Sequence, residues 1–185
     1  FYDTNDLNNA FVIDKKKITE SAVADKTKKG NLKNEQLSIR DTFRLPECFG
    51  FGFSAFDRHI KNGNQNQILS AELYLDEKIF YRHSYDTMAF DKSKYINCFT
   101  DLSKEYKKER IQKCFLSKNE SIGIFSDVSQ TGEVFLKDTL AHTIRLVCKD
   151  VSGNQETVTL YVKRQKTVVL AEEKKYKYDC LKELI

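Results

Sequence analysis

Phe49-Gly50-Phe51-Gly52-Phe53-Ser54-Ala55 places a large or apolar side chain at every second position and a small residue between. A period of two puts Phe49, Phe51, Phe53 and Ala55 on one face of an extended strand. Gly50, Gly52 and Ser54 leave the other face nearly flat, so another element is expected to approach closely there. Asp57-Arg58 closes the strand, and Lys61-Asn62-Gly63-Asn64-Gln65-Asn66 is a turn-rich loop.

The same period recurs downstream. Ala71, Leu73 and Leu75 share one face of a hairpin arm, and Ile79-Phe80-Tyr81 starts the return arm. Asp76-Glu77 stands where a tight turn is needed, although Glu77 suits a positive φ poorly, which leaves a longer turn open. Ile111–Leu116, Ile122–Phe125 and Val134-Phe135 read as short strands, separated by Ser117-Lys118-Asn119-Glu120 and Thr131-Gly132. Ile144, Leu146 and Cys148 oppose Arg145 and Lys149 across one strand. Val158, Leu160 and Val162 oppose Thr157, Thr159 and Lys163 across the next, and Asp150-Val151-Ser152-Gly153-Asn154 joins the two.

Residues 85–110 interrupt this pattern. Met88, Phe90, Tyr95 and Ile96 are expected as apolar anchors in a polar background. Asp101 is expected to cap a short helix in which Leu102 and Tyr106 meet. Upstream, Ala10-Phe11-Val12-Ile13 is a strand candidate, Asp14–Asn34 an exposed connection, and Gln36–Arg44 a weakly alternating segment with Leu37, Ile39 and Phe43 on one side. In the tail, Thr167–Leu170 reads as a strand and Ala171–Leu184 as a short helix or the truncated start of a further domain. The expected organisation is therefore N-terminal strands and an exposed connection over 1–45, an immunoglobulin-like β-sandwich with a short helical insertion over 46–165, and a tail over 166–185. The fold class is mostly β.

Composition agrees with that class. Thirteen Phe and nine Tyr without Trp favour pleated, half-buried surfaces. The lone Pro46 leaves the turns to Gly, Asn and Asp. A net charge of +4, from 31 basic and 27 acidic residues, comes without a basic stripe, which argues against nucleic acid as a partner. No apolar stretch reaches the roughly 18 residues of a membrane helix. The chain begins at Phe1 without an initiator Met or signal-peptide pattern, as a mature product or excised piece would.

Residues able to carry chemistry are few and scattered. His59, His83 and His142 fall in no zinc-binding spacing, and are expected as one loop and two strand-edge histidines. Cys48, Cys98, Cys114, Cys148 and Cys180 form no CxxC pair and read as small apolar side chains. Cys98 or Cys114 with His142 is the one conceivable thiol–imidazole pair, and nothing in the sequence brings them together. Asp57, Asp76, Asp91 and Asp150 stand singly at strand ends or turns, where a carboxylate hydrogen-bonds turn backbone. Asp57 and Asp150 are the best structural anchors among them. There is no nucleophile elbow, and Gly50-Phe51-Gly52 lacks the third glycine of a dinucleotide loop. No catalytic, cofactor-binding or metal-binding residue is nominated, no cofactor is expected, and the chain itself is expected not to be an enzyme.

From about Phe49 to Val162 the chain resembles the immunoglobulin-like module that follows the catalytic domain in lysostaphin-type zinc endopeptidases of Gram-negative bacteria. The resemblance rests on Phe51-Gly52-Phe53-Ser54-Ala55-Phe56-Asp57-Arg58, Glu72-Leu73-Tyr74-Leu75-Asp76 and Met88-Ala89-Phe90-Asp91. It continues through Tyr95-Ile96-Asn97, Arg110-Ile111-Gln112-Lys113, His142-Thr143-Ile144 and Asp150-Val151-Ser152-Gly153-Asn154. At Glu77 the chain departs from the family's usual Gly. The family's zinc ligands lie in its peptidase domain, and none is matched here. The resemblance implies a non-catalytic accessory module, in the periplasm or cell envelope, that positions or regulates a peptidoglycan endopeptidase. Its implied partners are a peptidase domain in cis, peptidoglycan or an envelope protein. A free-standing envelope interaction or adhesion domain is the alternative, with 61–66 and 85–110 as its contact surfaces.

Overall fold

The computed structural model describes residue 1 and residues 22–29, 32–57, 66–86, 88–101, 111–116 and 123–165. They are mostly β. Strands β1 (Ala22–Lys29), β2 (Leu32–Leu45), β5 (Ser70–Leu75), β6 (Lys78–Ser84), β9 (Phe125–Ser126), β11 (Ala141–Lys149) and β12 (Gln155–Arg164) form one sheet in the order β1-β2-β12-β11-β5-β6-β9. Two smaller sheets complete the fold. One pairs β10 (Val134–Phe135) with β3 (Cys48–Phe49), and the other runs β4 (Gly52–Phe53), β8 (Ile111–Lys113), β7 (Thr100–Asp101).

The two hairpins expected from period-two alternation are present. Strands β11 and β12 pair from Ala141↔Lys163 to Lys149↔Gln155. Ile144, Leu146, Cys148, Leu160 and Val162 are buried, as the alternation requires, but Val158 is only half-buried and Thr157, expected on the opposite face, is buried. Gly153 turns the connection with φ 85°. Strands β5 and β6 meet through Asp76-Glu77 alone, and both residues take positive φ, 49° and 64°. The longer turn left open for Glu77 is not used. Between Leu73↔Tyr81 and Tyr74↔Ile79 the register slips by one, which makes Phe80 a bulge and lets Phe80 and Tyr81 both be buried.

Several expectations are corrected. Residues 49–55 are not one strand. Phe49 ends β3 and Phe53 ends β4, in different sheets, because the backbone between them changes partners. The side-chain alternation survives this break: Phe49, Phe51 and Phe53 all lie in the core. The close approach expected at the glycines is real at Gly50, where a Cβ would sit 2.5 Å from Cδ1 of the Phe115 ring. Residues 14–34, expected as an exposed connection, include β1 and the start of β2, which pair from Ala22↔Ile39 to Lys29↔Leu32. Ladder hydrogen bonds come from the backbone, so a Lys- and Thr-rich segment joins a sheet without showing an apolar period. Asp101 is buried in β7 opposite Ile111, and the short helix expected after it falls on residues 102–110, outside the described residues. A 3₁₀ helix is described earlier, at Phe90–Phe99. The strand candidate at 10–13, the loop at 58–65, the segments 102–110 and 117–122, and the tail 166–185 lie outside the described residues.

One hydrophobic cluster joins the large sheet to the short pairs. Ile39, Leu45, Ala71, Leu73, Tyr81, Ile144, Leu146, Leu160 and Val162 come from β2, β5, β6, β11 and β12 of the large sheet, and Phe49, Phe53 and Val134 from the small sheets. The Phe1 ring packs edge-on against Phe49 and Phe51. A second cluster holds the 3₁₀ helix: Phe99 meets Phe125 at 4.6 Å between ring centroids, with Ile124, Met88 and Ile96 around them. Of the four anchors expected here, Met88 and Ile96 pack as expected. Phe90 and Tyr95 point outward instead, 94% and 45% exposed. Among the described residues, no helix is long and apolar enough to cross a membrane.

Candidate functional site

The densest polar arrangement grows from the β5–β6 turn. The turn lies beside the start of β11, because β11 pairs with β5 as far as Ile144↔Leu75. The Asp76 backbone N–H donates to the Thr143 carbonyl at 2.9 Å, and Asp76 Oδ1 accepts the Thr143 N–H at 2.9 Å. This leaves Oδ2 free to face His142, 2.6 Å from Nδ1. On the other side of the imidazole, Asp138 Oδ1 stands 3.1 Å from Nε2 and also accepts the Leu140 N–H at 2.7 Å. His142 therefore bridges two carboxylates from different segments. The hydrogen bond to Asp76, with that to Asp138, raises its pKa above the usual 6.5 against the opposing pull of partial burial. The Leu140 N–H, helped by His142, holds the Asp138 carboxyl below its ordinary range.

A chain of ion pairs continues from the same turn across the outer face of the sheet. Glu77 accepts from Arg145 at 2.6 Å, and the Arg145 guanidinium lies 3.9 Å from the centroid of the Tyr74 ring. The Tyr74 hydroxyl donates to Glu72 at 2.6 Å. Glu72 also faces Arg82 at 3.3 Å and Lys149 at 3.7 Å, and Arg82 reaches Asp127 at 2.7 Å. Burial opposes the charge on Glu72, but the Tyr74 hydroxyl, Lys149 and Arg82 outweigh it and hold the carboxyl below its usual value. The bond to Glu72 in turn raises the Tyr74 phenol. Each charge in this strip faces an opposite one, which is the arrangement of an ordered polar surface.

The sequence candidates fall into place around these groups. His83 is not a strand-edge residue. It is fully buried in β6, stacked on Phe53 and edge-on to Tyr81 and Tyr85. Burial lowers its pKa to about 4, so it is neutral at pH 7. The Gln112 amide nitrogen lies 3.1 Å from His83 Nε2 and donates to the Tyr85 hydroxyl at 3.0 Å. Burial pushes the Tyr85 phenol up to about 12. Among the described residues, no thiol is paired with His142, whose two ring nitrogens both face carboxylates. Cys114 is in the core with its thiol pushed well up by burial, and Cys98 is exposed on the 3₁₀ helix. Cys148 is buried as expected and its pKa pushed up to about 12, whereas Cys48 is only half-buried. His59 and Cys180 lie outside the described residues.

The aspartates act on turns. Asp150 Oδ1 accepts the Ser152 and Asn154 N–H groups at 2.8 Å each, so it anchors its turn as expected. Asp57 closes its loop through backbone, exchanging both hydrogen bonds with Asn66 at 2.8 Å. Asp91 sits in the first turn of the 3₁₀ helix. The Asp138–His142–Asp76 bridge escaped the sequence reading, because 66 residues separate Asp76 from His142. Only the His142/Asp138 spacing of four was local, and that spacing carries no meaning in an extended chain.

The bridge invites comparison with two kinds of chemistry. In an acid–histidine–nucleophile site, the nitrogen opposite the acid faces a hydroxyl or thiol; here it faces a second carboxylate. In a metal site, ligands converge on one point; here the two carboxylates lie on opposite sides of the ring. Among the described residues, no group of three or more His, Cys, Asp or Glu side chains is placed to hold a metal ion. Comparisons with protein-family models, curated proteins and solved structures find no match.

Proposed function

We propose that the chain is a non-catalytic interaction module that presents the 3₁₀ helix Phe90–Phe99 to a protein partner. The observation that carries this is Phe90, 94% exposed on a segment fastened from behind by Phe99, Met88 and Ile96. An aromatic side chain held in water on an anchored support gains free energy when a partner covers it, at little further cost in ordering. Tyr95 stands exposed on the same helix, with the Lys94 ammonium 5.1 Å from its ring centroid. The segment falls within the 85–110 surface singled out from the sequence.

The setting in this proposal comes from the ordered series of short motifs between Phe51 and Asn154. They support an immunoglobulin-like sandwich serving as the accessory module of a cell-envelope peptidoglycan endopeptidase, beside a peptidase domain in cis. The single core shared by the large sheet and the short pairs supports the sandwich part of that reading.

The test is a pull-down of the whole chain against purified peptidoglycan and against envelope extract, with wild type and a Phe90→Ser, Tyr95→Ser double variant. Saturable capture of an envelope protein, reduced at least about tenfold in the variant with thermal unfolding unchanged, is expected. Equal capture by both chains would overturn the assignment of the surface. Binding to peptidoglycan alone, unaffected by the substitutions, would replace it with a wall-targeting role.

A further inference from the structure

We infer that Asp138–His142–Asp76 is a pH-sensitive latch that fastens the Lys137–Leu140 segment to the β5–β6 turn in acid and releases it as the pH rises. This goes beyond the interaction reading and is independent of it, since Phe90 and Tyr95 take no part.

The geometry carries the inference. An imidazole nitrogen without a proton presents a lone pair, and a lone pair facing a carboxylate oxygen is repulsive. Both nitrogens of His142 face carboxylate oxygens, at 2.6 and 3.1 Å, so both contacts are favourable only when both nitrogens carry protons. The three groups come from separate segments: Asp76 from the β5–β6 turn, His142 from β11 and Asp138 from the connection before it. Each carboxylate also accepts a backbone N–H, from Thr143 and Leu140 respectively, so the bridge ties backbone on both sides. His142 keeps 17% side-chain exposure, enough for its proton to leave to water.

The surrounding charges do not supply a substitute. Glu77, next to Asp76, is engaged by Arg145. On β12, Arg164 stabilises the Asp138 charge but is paired with Glu47 at 3.2 Å, and it also donates towards the carbonyls of Leu136 and Lys137. When His142 loses its proton, one carboxylate faces a lone pair, and Arg164, engaged by Glu47 and directed at the Leu136 and Lys137 carbonyls, does not replace the lost contact. The sign follows from the raised pKa. The folded state holds the proton more tightly than the unfolded chain, so the latch contributes fully below the ordinary histidine range and is lost as pH rises through the raised value.

The test uses the whole chain and two readouts. Imidazole NMR is expected to show both His142 nitrogens protonated at about pH 6 and a pKa above the ordinary value. Asp76→Asn and Asp138→Asn are each expected to lower that pKa. Hydrogen-exchange protection at the Leu140 and Thr143 amides, corrected for intrinsic rates, is expected to fall several-fold as His142 deprotonates. Protection at Leu146, in the middle of β11, is expected to stay constant, which separates latch opening from global unfolding. A His142 pKa at or below 6.5 would overturn the latch, as would protection at Leu140 and Thr143 that ignores its titration. Failure of one aspartate variant to fold leaves the wild-type titration and exchange to decide.

Discussion

At the residue scale, the two described histidines oppose one another. His142 stabilises the fold when charged, whereas His83 stabilises it only when neutral. The folded pKa of His83 is near 4, below its ordinary 6.5, so in that interval the unfolded chain binds the proton and the folded chain resists it. Stability is therefore expected to fall as pH drops from 6.5 towards 4, by about 3 kcal/mol from this group. Urea unfolding of wild type and His83→Phe across that range isolates the effect, since the carboxylates contribute equally to both. The variant should show a shallower acid limb; parallel limbs would mean that His83 is not buried neutral. None of this was legible beforehand. A histidine at an alternating strand position is edge or core according to whether the next strand and its aromatic neighbours cover it, and here Phe53, Tyr81 and Tyr85 do.

At the element scale, the β5–β6 hairpin shows how a turn follows strand pairing. Asp is one of the residue types that enter left-handed backbone readily, and the Asp76 carboxylate is held across the sheet by the Thr143 N–H and His142. Glu77 has no such advantage, yet it takes φ 64° because a two-residue connection between right-twisted strands requires it. Its carboxylate is mostly exposed, so the Arg145 pair offsets little of the strain. Replacing Glu77 with Gly is therefore expected to leave stability within about 1 kcal/mol of wild type. Glu77→Val, β-branched at positive φ, should lie about 1–2 kcal/mol below the glycine variant. Urea midpoints measure both. Equal midpoints would indicate that the connection is not a left-handed two-residue turn. The 3₁₀ helix teaches the converse. Its apolar residues do not all face inward, and which of Phe90, Tyr95, Ile96 and Phe99 is buried depends on where Ile124 and Phe125 lie.

At the scale of the whole molecule, the decisive contact is the parallel pairing of β2 with β12, from Gln155↔Asn34 to Arg164↔Leu45. It brings Ile39 and Leu45 into the common core and covers the edge that β12 would otherwise expose. A chain limited to residues 46–165 should lose both effects. Each lost aliphatic core side chain costs about 2–5 kcal/mol, against a typical total of about 5–15 kcal/mol. The truncated chain is expected to lack a cooperative thermal transition and to self-associate. A monomer with a sharp transition would show that β1 and β2 are dispensable additions.

What the amino-acid sequence determined by itself is therefore local: the β class, the β5–β6 and β11–β12 hairpins, the buried faces of Phe49, Phe51 and Phe53, and the Asp150 turn. These follow from side-chain periodicity and turn chemistry, which act over a few residues. Tertiary structure alone decided that residues 49–53 split between two sheets, that β2 lies beside β12, that His83 is buried and that Phe90 is not. It also brought His142 between Asp76 and Asp138. These outcomes depend on which backbone edges pair across long stretches of chain, and backbone hydrogen bonds are the same for every residue but proline, so sequence carries almost no record of the choice.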